Sequence, residues 1–105
     1  MPQKRRITFA DAAVADLQAI REWYTAQHVP EVGERLVREV VSEVEGLAAF
    51  PELGRLVPEF GVTHLRELIH PPFRIVYRLD AAGVRVVRVW RSERILELPE
   101  SPGGA

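Results

Sequence analysis

Apolar residues recur along this chain at two periods, and the change from one to the other divides it into a helical half and a strand half. Ala13, Leu17, Ile20 and Tyr24 follow one another at spacings of four, three and four, which places them on one face of a helix. That helix is predicted to start at Asp11, whose side chain offers an N-cap oxygen, and to run to about Ala26. Trp23 stands one position off the stripe. Val29-Pro30 interrupts the pattern, and a second helix starts near Glu31, an acid suited to the positive end of the helix dipole. Val37, Val40, Val41, Val44, Leu47 and Ala48 give this helix a broad apolar stripe, and Pro51 ends it at Phe50.

The second half alternates instead. Strands are predicted at about Thr63–Ile69, Phe73–Leu79 and Val84–Arg91, with a short one earlier at Arg5–Phe9. His70-Pro71-Pro72 separates the first pair, and Asp80-Ala81-Ala82-Gly83 closes the second as a hairpin. In the middle strand Phe73, Ile75, Tyr77 and Leu79 share one face, and Arg74, Val76 and Arg78 share the other. In the last strand Val84, Val86, Arg88 and Trp90 oppose Arg85, Val87, Val89 and Arg91, so both faces are partly apolar. The segment PELGRLVPEFG between the halves reads as an ordered loop.

These elements predict an α+β fold. An N-terminal strand and a helical hairpin over about 11–50 are followed by a three-stranded antiparallel meander over about 63–94. The strands form one sheet packed on the helices, and residues 99–105 form a frayed tail. One domain spans 1–105, a length that supports a single modest core.

Charge changes the picture more than composition does. The chain carries 14 Lys/Arg and 15 Asp/Glu for a net charge of −1. Residues 1–61 hold seven Lys/Arg against ten acids, whereas residues 62–94 hold seven Arg against three acids. A meander dense in arginine presents planar, permanently charged donors that suit phosphates and carboxylates. Arg66, Arg74, Arg78, Arg88, Arg91 and Arg94, with Trp90 as an anchor, are therefore the candidate partner-binding residues, expected to point outward together. Arg74→Ala is accordingly expected to spare the fold. With no cysteine in the chain, disulfides and thiolate metal sites are excluded, and a reducing cytoplasm is the expected location. No run reaches the ~20 apolar residues of a membrane span, and a secretory signal is not expected. His28, His64 and His70 are scattered and read as structural or solvated, Glu39/Glu43 reads as a wet helix face, and no metal or cofactor is expected.

The order of these pieces resembles the RelE/ParE toxin family of bacterial type II toxin–antitoxin modules. The matching residues are Ala15-Asp16-Leu17 with Ile20 and Tyr24, then Leu47 through Phe50-Pro51-Glu52-Leu53-Gly54-Arg55. They continue with Leu65-Arg66-Glu67, Phe73-Arg74-Ile75-Val76-Tyr77-Arg78 and Val89-Trp90-Arg91-Ser92-Glu93-Arg94. The resemblance implies a toxin neutralised by a cognate antitoxin whose C-terminal segment wraps it, with DNA reached only through the antitoxin. It leaves two targets: DNA gyrase for a ParE-like member, or messenger RNA on the ribosome for a RelE-like endonuclease. An inactive, antitoxin-binding member is the third reading.

Cleavage without a metal needs proton carriers as well as cations around the phosphorane. If the chain is a nuclease, Arg74, Arg91 and Arg94 supply charge, and Arg74 matches the family's phosphate-binding arginine. Yet RNA-cleaving relatives commonly carry a tail tyrosine where this chain has Ile95-Leu96-Glu97-Leu98. They also carry a further basic residue where it has Ser92 and Glu93. Whether it is an enzyme stays open on these residues, and the departures favour the ParE-like reading.

Overall fold

The computed structural model describes residues 4–92. Within them the order is β1 (Ile7–Phe9), α1 (Asp11–Ala26), α2 (Pro30–Glu45), a 3-10 turn (Gly46–Ala48), β2 (Arg55–Leu56), β3 (Leu65–His70), β4 (Phe73–Asp80) and β5 (Gly83–Arg91). The α+β architecture is the expected one, but the sheet is larger than a meander. Five strands run in the order β1-β5-β4-β3-β2, with β1 parallel to β5 and the other pairs antiparallel. β2 lies inside the segment read as a loop, and two residues are too few for alternation to reveal it.

Both helices bury the faces their spacing predicts. Ala13, Leu17 and Ile20 of α1 and Leu36, Val37, Val40 and Val44 of α2 are buried. They form one core with Phe73, Ile75 and Tyr77 of β4 and Val84, Val86 and Val89 of β5. The helix ends differ from expectation. Asp11 is the first helical residue and makes no side-chain cap, the N-cap being Ala10. α2 stops at Glu45 and tightens into the 3-10 turn, where Leu47 is still fully buried. Pro30 occupies the first turn of α2, where a missing N–H costs nothing.

A register shift in the last strand corrects the predicted faces. Tyr77 pairs with Val86 while Val76 pairs with Arg88, so Val87 is the extra residue of a bulge. Beyond it the alternation changes phase: Val84 and Val86 face the helices before the bulge, and Val89 does so after it. The hairpin ahead of it pairs Asp80 with Gly83. Asp80 Oδ1 accepts the Ala82 N–H at 2.9 Å, and Gly83 takes φ +135°, which a side chain would strain.

The segment after α2 is anchored by one buried phenol. The Tyr77 hydroxyl donates to the Pro51 carbonyl at 2.7 Å and accepts the Gly54 N–H at 2.9 Å. A Cβ on Gly54 would lie 2.6 Å from the Glu67 carbonyl and 2.7 Å from that hydroxyl, so only glycine lets the chain pass. Burial pushes the Tyr77 pKa up, which keeps the donating proton in place.

Two substitutions check this packing by chemical denaturation. Ile75→Ala, at a fully buried site, is expected to cost about 2–4 kcal/mol through the cavity it leaves. Gly54→Ala is expected to be destabilising by about 1–3 kcal/mol, as overpacking is. A neutral result at Gly54 would show that the 51–54 segment is free to move away from β4.

Candidate functional site

The meander arginines do not form one outward battery, because strand alternation and the bulge divide them between the two sheet faces. Arg74 and Arg78 of β4 lie on the face away from the helices, alternating with Phe73, Ile75 and Tyr77. Arg66 of β3 stands opposite Tyr77 on the helix-side face, and its Nη1 donates to the carbonyls of Gly54 at 2.8 Å and Glu52 at 3.4 Å. Arg91 pairs across strands with the core residue Phe73 and lies over the rings of Phe73 and Trp23 at 5.9 and 5.6 Å. Arg94 lies outside the described residues.

Arg74 is the sharpest correction. Expected as an exposed cation, it is only 5% exposed. Its Nε donates to Glu67 Oε1 at 2.6 Å, while Nη1 and Nη2 donate to the two carboxylate oxygens of Glu59, each at 2.9 Å. Glu67 is itself buried and takes Arg55 Nε on its other oxygen at 2.7 Å. One guanidinium thus bridges two carboxylates, and one carboxylate bridges two arginines. Arg74 holds Glu59 down to about pKa 2 through the paired hydrogen bonds, against the cost of burial. Glu59 in turn raises Arg74 further above its already high value. Such a network tolerates burial because nearly every charge has partners. It also ties the 57–61 turn to the sheet's outer face, where Val57 and Val76 are buried beside the main core.

Arg88 is committed as well. Its Nε and Nη2 donate to Asp16 of α1 at 2.8 and 2.9 Å, and Asp16 Oδ2 also accepts the Val89 N–H at 2.8 Å. Asp16 raises the Arg88 pKa through these bonds. The carboxylate therefore does two things: it neutralises Arg88, and it satisfies β5 past the point where β1 stops pairing with it. Arg88 also stacks over Trp90 at 4.8 Å.

Asp16, Glu59 and Glu67 are the arginine partners that composition did not reveal as such. Glu67 carried a usable signal, an acid between apolar neighbours in LRELI on the arginine face of a central strand. Glu59 carried none, since it sits in a turn fifteen residues from its partner.

Beyond Asp16 a cavity of about 190 Å³ opens between α1 and β5, lined among others by Trp23, Tyr24, Phe73, Trp90 and Arg91. Trp23 and Tyr24 meet edge to face at 4.8 Å, and Trp23 is 51% exposed. Trp90 and Arg91 both line this cavity, and Arg74 and Arg78 do not. His70 lies elsewhere, with Nε2 3.0 Å from Glu39 and Nδ1 3.6 Å from Glu43 on α2. The Glu39/Glu43 pair is therefore not a bare wet face but the seat of the β3–β4 turn. The His70 contact holds the Glu39 carboxyl below its usual range. Among the described residues no group of three His, Cys, Asp or Glu is arranged to hold a metal ion.

Residues 7–96 match the sequence model of the ParE toxin of type II toxin–antitoxin systems, parDE. The chain belongs to this toxin family. It is 36% identical over 84 residues to Toxin RelE2 of Caulobacter vibrioides, covering 79% of this chain and 90% of that relative. A chain of the chromosomal ParDE system of P. aeruginosa superposes with a TM-score of 0.71 at 26% identity, over 84% of the toxin and 96% of that chain. The RelBE2 complex of Mycobacterium tuberculosis gives 0.58 at 19% identity over 86% and 99% of the two chains, and shares the fold. No helix among the toxin's described residues is long and apolar enough to cross a membrane.

The Arg74 network generates two expectations. Arg74→Ala strands two carboxylates and is expected to cost about 3–5 kcal/mol, whereas exposed Arg78→Ala should stay within about 0.5 kcal/mol. Equal, small effects on urea midpoints would mean that Arg74 is a surface charge after all. The second concerns pH. Because the folded pKa of Glu59 is depressed, its stabilisation is complete above the usual glutamate value of 4.5 and fades as pH falls toward about 2. Glu59→Gln should therefore flatten the dependence of Tm on pH between those limits, and an unchanged slope would contradict the pairing.

Proposed function

We propose that this toxin acts by binding a protein target, in the manner of a ParE-like inhibitor of DNA gyrase, and that a cognate antitoxin neutralises it. The observation that carries this reading is the capture of Arg74 by Glu59 and Glu67. A phosphorane needs cations with coordination to spare, and here the matching arginine spends its donors on two carboxylates.

The proton carriers point the same way. Tyr77 is fully buried with its hydroxyl committed on both sides, and His70 is held against α2. The remaining tail, Glu93 to Ala105, contains neither Tyr nor His. The match to the ParE family model adds support from the whole length of the domain. Cytoplasmic action follows from this reading, since gyrase and its DNA lie there.

On this reading the antitoxin docks at the cavity between α1 and β5. Solved relatives are toxin–antitoxin complexes or systems, and Trp23, Trp90 and Arg91 combine the side chains that dominate binding hot spots. An antitoxin segment with an apolar anchor and an acid fits that wall, ordering as it binds.

Two assays test the proposal. Purified toxin should abolish gyrase supercoiling while transcripts on translating ribosomes keep intact ends. Codon-phased cuts with unimpaired supercoiling would overturn it in favour of a RelE-like nuclease, and neither effect would indicate an antitoxin-binding member without toxicity. For the antitoxin, Trp23→Ala is expected to weaken binding by at least about 2 kcal/mol, roughly 30-fold, in calorimetric titration. An unchanged Kd would place the partner elsewhere.

A further inference from the structure

The arginines that find partners leave behind a corner of the sheet where cations find none. Arg78 of β4 and Arg85 of β5 are direct cross-strand neighbours on the exposed outer face. Thr8 of β1 stands next in the same row, and Arg85 Nη1 donates to its hydroxyl at 3.3 Å. Arg6 precedes Thr8 by two positions on the same face and lines the adjoining hollow with Thr8 and Arg85. Lys4 borders a second hollow that shares Arg6 and Ala82 with the first.

Among the described residues, no carboxylate pairs with Lys4, Arg6, Arg78 or Arg85. Asp80 of the hairpin lines the same hollow and spends Oδ1 on the Ala82 N–H, leaving a single carboxylate among four cations. Like charges directly opposite on two strands oppose folding. Elsewhere in the same sheet Arg55, Arg74 and Arg88 pair with Glu67, Glu59 and Asp16, whereas here two cations face each other with no such partner.

We infer that this corner, formed by Lys4, Arg6, Thr8, Arg78 and Arg85, binds the phosphate backbone of duplex DNA. The row Thr8–Arg85–Arg78 crosses three strands, about 10 Å at the usual strand spacing, with guanidinium and hydroxyl donors suited to phosphate oxygens. The absence of an aromatic platform decides between kinds of polyanion. Single strands are held by stacking bases on aromatic rings, and Trp90 lines the cavity between α1 and β5 rather than this row. An acidic protein segment would want a well-exposed apolar anchor, and the row's one large apolar member, Leu65 opposite Arg78, is half-buried. Cations alone suffice for a duplex backbone. The inference stands whether or not gyrase is the target, and it replaces the expectation that DNA is reached only through the antitoxin.

The test is fluorescence anisotropy of a 20-base-pair duplex titrated with the full chain between 50 and 200 mM salt. Four cations predict a slope of log K against log salt of about −3 to −4. The double variant Arg78→Thr/Arg85→Thr should reduce that slope by about two while melting at or above the wild-type temperature, since it relieves a like-charge contact. Arg38→Ala, a surface arginine on α2, should leave the slope unchanged. A slope unaltered in the double variant would overturn the assignment. So would a 20-residue polyglutamate that binds as tightly as the duplex and is lost in the same variant, because the surface would then be one for acidic protein.

Discussion

A single guanidinium, that of Arg74, holds the outer face of this sheet together. Arg74 sits at the centre of the sheet's outer face, and a lone charge there would have to remain hydrated. Glu67 from the neighbouring strand and Glu59 from the preceding turn supply the counter-charges instead. The turn can then close over the sheet, and Val57 and Val76 can be buried beneath it. The network is thus both a structural clamp and the reason the toxin lacks a free central cation. Stability and chemistry are set by the same hydrogen bonds.

Asp16 plays the corresponding part at the other side of the sheet. β1 pairs with β5 only through Val86, and the strand would otherwise continue with an unsatisfied N–H at Val89. The carboxylate on α1 takes that donor together with Arg88. This fixes α1 against β5 and shapes the aromatic wall beyond. The cavity proposed for a protein partner is built from the same contacts that dock the helix on the sheet.

Much of this was legible in the chain. Helical spacing picked out Ala13, Leu17, Ile20 and Tyr24, and alternation picked out Phe73, Ile75 and Tyr77, because burial imposes those periods directly. What alternation missed was the bulge at Val87, where one extra residue moves Val89 to the core face and leaves Arg88 beside Trp90. It also missed β2, too short to have a period. The candidate site was less legible than the fold. An arginine looks the same in sequence whether solvent or carboxylate meets it, and the partners of Arg74 and Arg88 come from distant segments. Grouping the arginines by strand therefore placed Arg66, Arg74 and Arg91 on one surface when they lie in three environments.

Arg74 acts as a clamp rather than a spare cation, and its pairing with Glu59 is directly measurable. A double-mutant cycle between Arg74 and Glu59, read by urea denaturation at neutral pH, isolates their coupling from the rest of the sheet. A coupling energy of about 1–3 kcal/mol is expected for a buried, bidentate pair. Additive losses, with no coupling beyond about 0.3 kcal/mol, would contradict the clamp and return Arg74 to the set of groups available for phosphate.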